Sequence, residues 1–332
     1  QTVTLDKIDR GNILNEIEDF IIDEPITMSI SSFLPNFTNE LNIYLNDTLI
    51  KSVEGVVDGD TIEFTDNELT TIYSLLPNVE TGTFKFELTS TRQEDDGTTI
   101  ITITNKTATG TIPSSVVPKV EFTVSEYVED IATKIGKYVV GKSRLNIDAS
   151  ASVGGAGSSI ASYKIVANGE TFNTSQAITS LLTESGFNSI SVIVKDSRGR
   201  ESLKGITINV LDYALPKAMS ISVNRCNSDG TFNDEGVYFK AYLNYEISPL
   251  EDKNLKRVLI QYLNGESWTT LATLTDNYSG VSEECVVSTQ QFSVDETYTI
   301  RLVVEDYFTL DTTEDDLTPS YTLMNYHASG KA

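Results

Sequence analysis

Arg225-Cys-Asn-Ser-Asp-Gly-Thr-Phe-Asn-Asp-Glu-Gly236 is the stretch from which the fold reads most clearly. On its left runs Met219-Ser-Ile-Ser-Val-Asn224, alternating apolar and polar. On its right, Val237-Tyr-Phe-Lys-Ala-Tyr-Leu-Asn-Tyr-Glu-Ile247 is rich in β-branched and aromatic residues. Two such runs joined by Asn, Asp, Ser and Gly predict a strand, a tight polar loop and a return strand. The loop also carries Asn227, Asp229, Asp234 and Glu235, whose side-chain oxygens are candidate calcium ligands. An EF-hand wants oxygen ligands at alternate positions, a Gly at the sixth and a Glu at the twelfth, between two helices. Here strands flank the loop and the spacing fails after Gly230. A turn held by Asx side chains is therefore the plainer expectation, with a calcium site shared with a second loop as the alternative.

Working outward, the same alternation recurs along all 332 residues. Hydrophobic residues make up 39% and charged residues 22%, which is enough apolar side chain to bury cores. The formal charge of −24 disfavours binding to a phosphate backbone. It favours solubility, a divalent cation or a basic partner instead. No apolar run approaches the roughly 20 residues that cross a membrane. Cys226 and Cys285 are too few for a disulfide framework, and Trp268 lies too near the second of them for the immunoglobulin pattern.

Up to residue 112 the chain reads as a first sandwich of about seven strands. Asp19–Ile30 is one of them, kinked at Pro25. Asn46-Asp47 and Glu94–Gly97 mark hairpin turns. Leu69, Ile72, Tyr73 and Leu76 fall at helical spacing and predict a short helix stopped by Pro77. Pro113 and Pro118 bracket a linker that opens a second sandwich over 113–213, with a short helix after a Ser125 cap. Gly154-Gly155 precedes a strand, without the Lys-Ser/Thr that would close a phosphate loop, and reads as linker. A third sandwich, of fibronectin type, spans 214–326 and uses Asn264-Gly265 as a hairpin turn. Residues 327–332 begin a connector. Val192-Ile-Val-Lys-Asp196 and Leu302-Val-Val-Glu-Asp306 echo each other as buried strands that leave a sheet at an Asp. The fold expected is all-β: tandem immunoglobulin- and fibronectin-III-like β-sandwiches with short helical turns.

Catalytic chemistry is poorly supplied. His327 is the only histidine, so neither a triad nor a zinc site is expected. The acidic pairs at Glu94–Asp96, Glu283-Glu284 and Glu314–Asp316 read as turns and charge runs, not as carboxylates facing each other across a cleft. No cofactor is expected beyond the candidate calcium. Tyr262 and Trp268 are candidates for stacking on sugar rings, with core or hairpin packing as the alternative.

Several stretches together resemble a family of minor structural proteins from the tails of siphophages that infect Gram-positive bacteria. They are Gly141-Lys-Ser-Arg-Leu145, Lys195-Asp-Ser-Arg-Gly-Arg200, Arg225–Gly230, Asp234–Gly236, Ile247-Ser-Pro249, Lys253-Asn254, Arg301–Phe308 and Tyr321–Lys331. The likeness is close over 119–331 and loose over 1–118. It implies a non-enzymatic virion component, assembled in the host cytoplasm, with immunoglobulin-like modules in series at the tail tip, baseplate or fibre. The expected partners are other tail proteins and copies of the same chain, without nucleic acid or membrane. Host cell-wall polysaccharide is the partner in the alternative reading, an adhesin module. The resemblance transfers no catalytic residue and implies that family members continue beyond Lys331.

Overall fold

A computed structural model describes residues 11–32, 34–281 and 285–320. The chain divides into two compact units. The first comprises Gln1–Ser125, Asn146–Ile178 and Ser189–Thr207; the second comprises Glu126–Leu145, Thr179–Asn188 and Ile208–Ala332. The boundaries expected at 112/113 and 213/214 both fall inside these units.

The first unit is built on the hairpin of Thr81–Gln93 and Thr99–Thr111, in register from Thr81 opposite Thr111 to Gln93 opposite Thr99. Its five-stranded sheet runs Phe20–Ile21, Thr99–Thr111, Thr81–Gln93, Thr38–Leu45, Thr48–Glu54. Asn46 and Asp47, with φ of 49° and 61°, make the turn between the last two, as expected of a two-residue hairpin loop. Alternation places Leu41, Ile43, Leu45, Phe84, Phe86 and Leu88 on the inner face, all fully buried. The layer facing them is not a second full sheet. It consists of two short ribbons, Ile13–Leu14 with Ile30–Ser31 and Ile26–Thr27 with Thr61–Ile62, and the helix Asp66–Leu75. The expected single strand Asp19–Ile30 is broken into three pieces, because its residues serve both layers.

The helix sends Ile72, Tyr73 and Leu76 inward. Thr65 and Glu68 form a capping box at its N-terminus, each side chain bonding the other's backbone N–H. Burial alone would raise the Glu68 pKa. The N–H of Thr65 and the ammonium of Lys51 outweigh it and hold the carboxyl below its usual range.

The outer edge of Thr99–Thr111 is paired by Phe20–Ile21 only at Gly110 and Thr111. Over the rest, the segment before Phe20 closes the edge with side chains. Leu14 N–H donates to Thr104 Oγ1 at 3.1 Å, Lys106 pairs with Glu16, and Thr109 N–H donates to the Asp19 carboxylate at 2.7 Å. An open edge of that length would otherwise be a template for another chain.

The rest of the first unit pairs Asn146–Asp148 with Gln176–Ile178. Ile160–Ala167 lies between Glu170–Phe172 and the run up to Asp196.

The second unit holds a sandwich. One sheet contains Lys217–Cys226, Tyr238–Glu246 and the short Ser279–Gly280, with Cys285–Val287 also on the middle strand. The other runs Ser267–Leu274, Arg257–Asn264, Tyr298–Glu305, Leu310–Leu317. Phe239, Leu243, Tyr245, Ile260, Ile300, Leu302 and Phe292 fill the space between. The acidic run Glu314–Asp316, expected as a turn or charge run, lies within the strand Leu310–Leu317. Its carboxylates explain why it is tolerated. Asp311 accepts the N–H of Ala218 at 2.9 Å and Asp315 that of Val223 at 2.8 Å, sealing the edge of the opposite sheet. The same unit contains the helix Glu129–Lys134 and the pair Tyr138–Val139, which runs parallel to Val210-Leu211. Ser125 does not cap this helix. Val128 occupies the cap position without a side-chain bond, and Glu126 Oε1 takes the N–H of Val128 instead.

Candidate functional site

Two densely bonded features outside the cores are places where stretches from successive expected modules meet. The first lies within the first unit. Asp196 ends a buried strand, is itself 1% exposed, and accepts the N–H groups of Arg198 and Arg200 through one carboxylate oxygen. Ser158 Oγ donates to the other oxygen. This Asx turn aims two arginines at the helix-bearing part of the unit. Arg198, 8% exposed, donates to the carbonyls of Tyr73 and Leu76 at 2.9 Å each and of Gly155 at 3.4 Å. Arg200 donates to the carbonyls of Ile112, Pro113 and Val116 and pairs with Glu80 at 2.8 Å.

Arg198 does a specific electrostatic task. The helix Asp66–Leu75 has Asp66 and Glu68 in its first turn, which suits the macrodipole, but no basic residue in its last. The guanidinium supplies that missing positive charge and satisfies two carbonyls of the last turn. Gly157, at φ 76°, permits the approach: a Cβ there would stand 2.2 Å from the Tyr73 carbonyl oxygen.

The second junction lies within the second unit and reuses the turn. Asp306, 3% exposed, accepts the N–H groups of Phe308 and Thr309, and its other oxygen takes Asn254 Nδ2 at 3.3 Å. Aromatic rings follow this turn where arginines followed the first. Phe308 meets Tyr213 edge-on, centroids 4.9 Å apart, and Lys142 Nζ lies 5.1 and 5.0 Å from the two ring centres. Burial pushes the Tyr213 phenol up, and the neighbouring Asp306 carboxylate adds to it. Leu250 completes the contact by packing with Ile131, Ile135 and Val139. The echo between Asp196 and Asp306 is therefore one turn in two chemistries. Sequence reasoning found the turns but not what they grip.

The candidate ligands read from sequence lie elsewhere. In the loop after Cys226, Thr231 N–H donates to Asp229, Glu235 N–H donates to Asn233, and Asn233 Nδ2 donates to Asn227 Oδ1. The bond from Thr231 holds Asp229 below the usual carboxylate range. These are the Asx turns expected. Among the described residues, no three His, Cys, Asp or Glu side chains converge as a metal-binding group. At the base of the loop, Arg225 donates to the carbonyls of Thr318, Gly236, Ser293 and Glu296.

Tyr262 and Trp268 do not share a surface. Tyr262 is 7% exposed and meets Phe292 edge-on inside the sandwich, so its ring is core. Trp268 lies on the other face of that sheet, where the Arg301 guanidinium covers it at 3.9 Å. Cys226 and Cys285 are both free. They flank the same strand, opposite Tyr238 and Tyr242. That offset alone is about 14 Å, far beyond disulfide reach. His327 and Glu283-Glu284 lie outside the described residues. Among the described residues, no helix is long and apolar enough to cross a membrane.

A family model described as "Siphovirus protein of unknown function (DUF859)" matches residues 1–330. The chain belongs to this siphovirus family. No curated protein matches it. Among solved structures, this siphovirus chain is similar to a 1.5-MDa bacterial ice-binding adhesin at 12% identity and a TM-score of 0.41, over 93% of this chain and 96% of that one. It is also similar to a Ca2+-stabilized adhesin with which an Antarctic bacterium binds ice (13%, 0.38, 94% and 74%). A third is protocadherin gamma B7, cadherin domains 1–4 (12%, 0.35, 93% and 76%). Likenesses of this size say nothing of ligand or partner.

Proposed function

We propose that this siphovirus protein is a non-enzymatic structural component of the phage tail, at the tip, baseplate or fibre. In this reading it is a multi-module spacer for host attachment, joined to other tail proteins and present in several copies, in a phage of Gram-positive bacteria. The observation that supports it is the bonding at the two junctions. A spacer must transmit orientation, so its modules cannot hang on free linkers. Here buried turns at Asp196 and Asp306 commit two arginines and an aromatic pair to neighbouring stretches of chain. An arginine donating to several carbonyls fixes direction, because its donors form a rigid fork.

Labelling virions with antibodies to this chain tests the reading. Signal confined to the tail is expected, and purified tails without the chain would refute it. Binding of the isolated chain to host cells or wall glycan would instead favour the adhesin module. A calcium titration that leaves the melting temperature unchanged rules out calcium at Asn227, Asp229, Asp234 and Glu235.

A further inference from the structure

We propose that Ser248–Asn254 is a strained latch and that the junction it closes in the second unit is the compliant joint of the chain. Leu250, Glu251 and Asp252 have φ of 48°, 56° and 63°, three successive left-handed residues of which none is glycine. Crowding between Cβ and the carbonyl oxygen makes this region costly for L-residues, which visit it singly and mostly as Asn or Asp. A run of three persists only if its surroundings hold it there.

Three groups do so. The Leu250 side chain is 3% exposed and pinned among Ile131, Ile135 and Val139. Glu251 pairs with Lys137 at 3.5 Å. Asn254 ties the end of the loop down, donating to the carbonyl of Ser248 at 2.7 Å and to Asp306. The pin and the ion pair both reach the segment that carries the helix Glu129–Lys134. Withdrawing Leu250 breaks them together and lets three residues relax to ordinary conformations, so strain favours release. The junction at Asp196–Arg200 has no such store. Its left-handed residues are Gly157 and Gly199, at φ 76° and 93°, where the conformation is native to the residue. Of the two, the junction at Leu250 therefore opens first.

The purpose of such a joint rests on the spacer reading: a spacer that yields at one defined place can realign without unfolding a module. The joint itself is testable on the isolated chain by amide hydrogen exchange, whatever virions contain. Amides of 131–140 and 250–254 report opening, and the strand Tyr298–Glu305 reports global unfolding. Asp252→Gly removes strain at one of the three positions without touching the Leu250 pin or the Glu251–Lys137 pair and should slow exchange at the junction by about three-fold. Leu250→Ala should speed it more than ten-fold while leaving Tyr298–Glu305 unchanged. Unchanged or faster junction exchange in Asp252→Gly would overturn the proposal. If Leu250→Ala unfolds the whole unit, the strand amides will show it and the glycine variant alone decides.

Discussion

Arg198 donates through Nη2 to the carbonyl of Tyr73, 125 residues earlier, at the end of a helix that has no cation of its own there. Arg198→Ala strands the Leu76 carbonyl in a buried site and leaves that of Tyr73 with only the N–H of Leu76, at 3.3 Å. The expected cost is about 2–4 kcal/mol, since bonds from charged donors are stronger than average and the acceptors stay desolvated. Arg198→Lys should rescue little, because one ammonium cannot reproduce the fork. Thermal melts of the three proteins, with exchange at amides 69–76, check both expectations.

Gly157 and Gly169 form a matched pair. Both are left-handed, at φ 76° and 73°, but only a Cβ at Gly157 meets backbone; nothing lies within 4 Å of one at Gly169. Gly169→Ala should cost about 1 kcal/mol, the conformational penalty alone. Gly157→Ala adds the clash with Tyr73 and should lose at least twice that, with loss of protection around Arg198. Equal losses would mean that the close approach does not matter.

The acidic strand offers a third check. Asp315→Ala exposes the N–H of Val223 at the edge of the facing sheet and should cost about 1–2 kcal/mol. Asp316→Ala, which loses only an exposed bond from Thr299, should cost well under 1 kcal/mol. Urea midpoints at unchanged slope distinguish the two.

Glu68 gives the pH dependence a direction. Its carboxyl is held below the unfolded value by Thr65 and Lys51, although burial pulls the other way. A lowered folded pKa stabilises fully above the unfolded value, and this contribution is lost as the pH falls through the lowered one. Wild type and Glu68→Gln should therefore differ in melting temperature at pH 7 and converge only once the pH has fallen below the lowered folded value. A gap that persists there would assign the effect to shape, not charge.

The thiols should behave unequally. Cys285 is exposed and should react with a maleimide within minutes, whereas Cys226 is buried, its thiol pushed up by that burial, and should react only on unfolding. Oxidation should give dimers through Cys285 and no internal crosslink. Non-reducing electrophoresis reads the outcome.

Much of the fold was legible because local chemistry and tertiary role agree. Asn46-Asp47 turns where its residue types say it must, and the strands on either side of Arg225–Gly236 pair with Cys226 opposite Tyr238. Leu69, Ile72, Tyr73 and Leu76 announce a helix that exists. What escaped depends on partners distant in sequence. Leu310–Leu317 looks unlike a strand until Asp311 and Asp315 are seen capping the opposite sheet. Pattern reading places Gly265 second in its hairpin turn, but Asn264 still pairs with Ser267 and the turn starts at the glycine. The arginines of Lys195–Arg200 were visible, but their acceptors are carbonyls, which every residue carries and no composition reveals. Leu250 and Glu251 gave no signal, since neither residue type favours a left-handed backbone, and a lone Asp252 does not mark a run of three.

The side-chain strap before Phe20 carries a consequence for biosynthesis. Its contacts at Leu14, Glu16 and Asp19 are with residues 90 positions later. At ribosomal rates of about 5–20 residues per second, the strap waits several seconds for the strand it protects. The hairpin Thr81–Thr111, being local, closes as soon as it emerges. The strap is thus already waiting when Thr99–Thr109 emerges, and it can cover that edge as soon as the hairpin closes, before the edge is offered to neighbouring nascent chains. Aggregation during expression should therefore rise when residues 11–19 are deleted, even if the finished sheet can form without them.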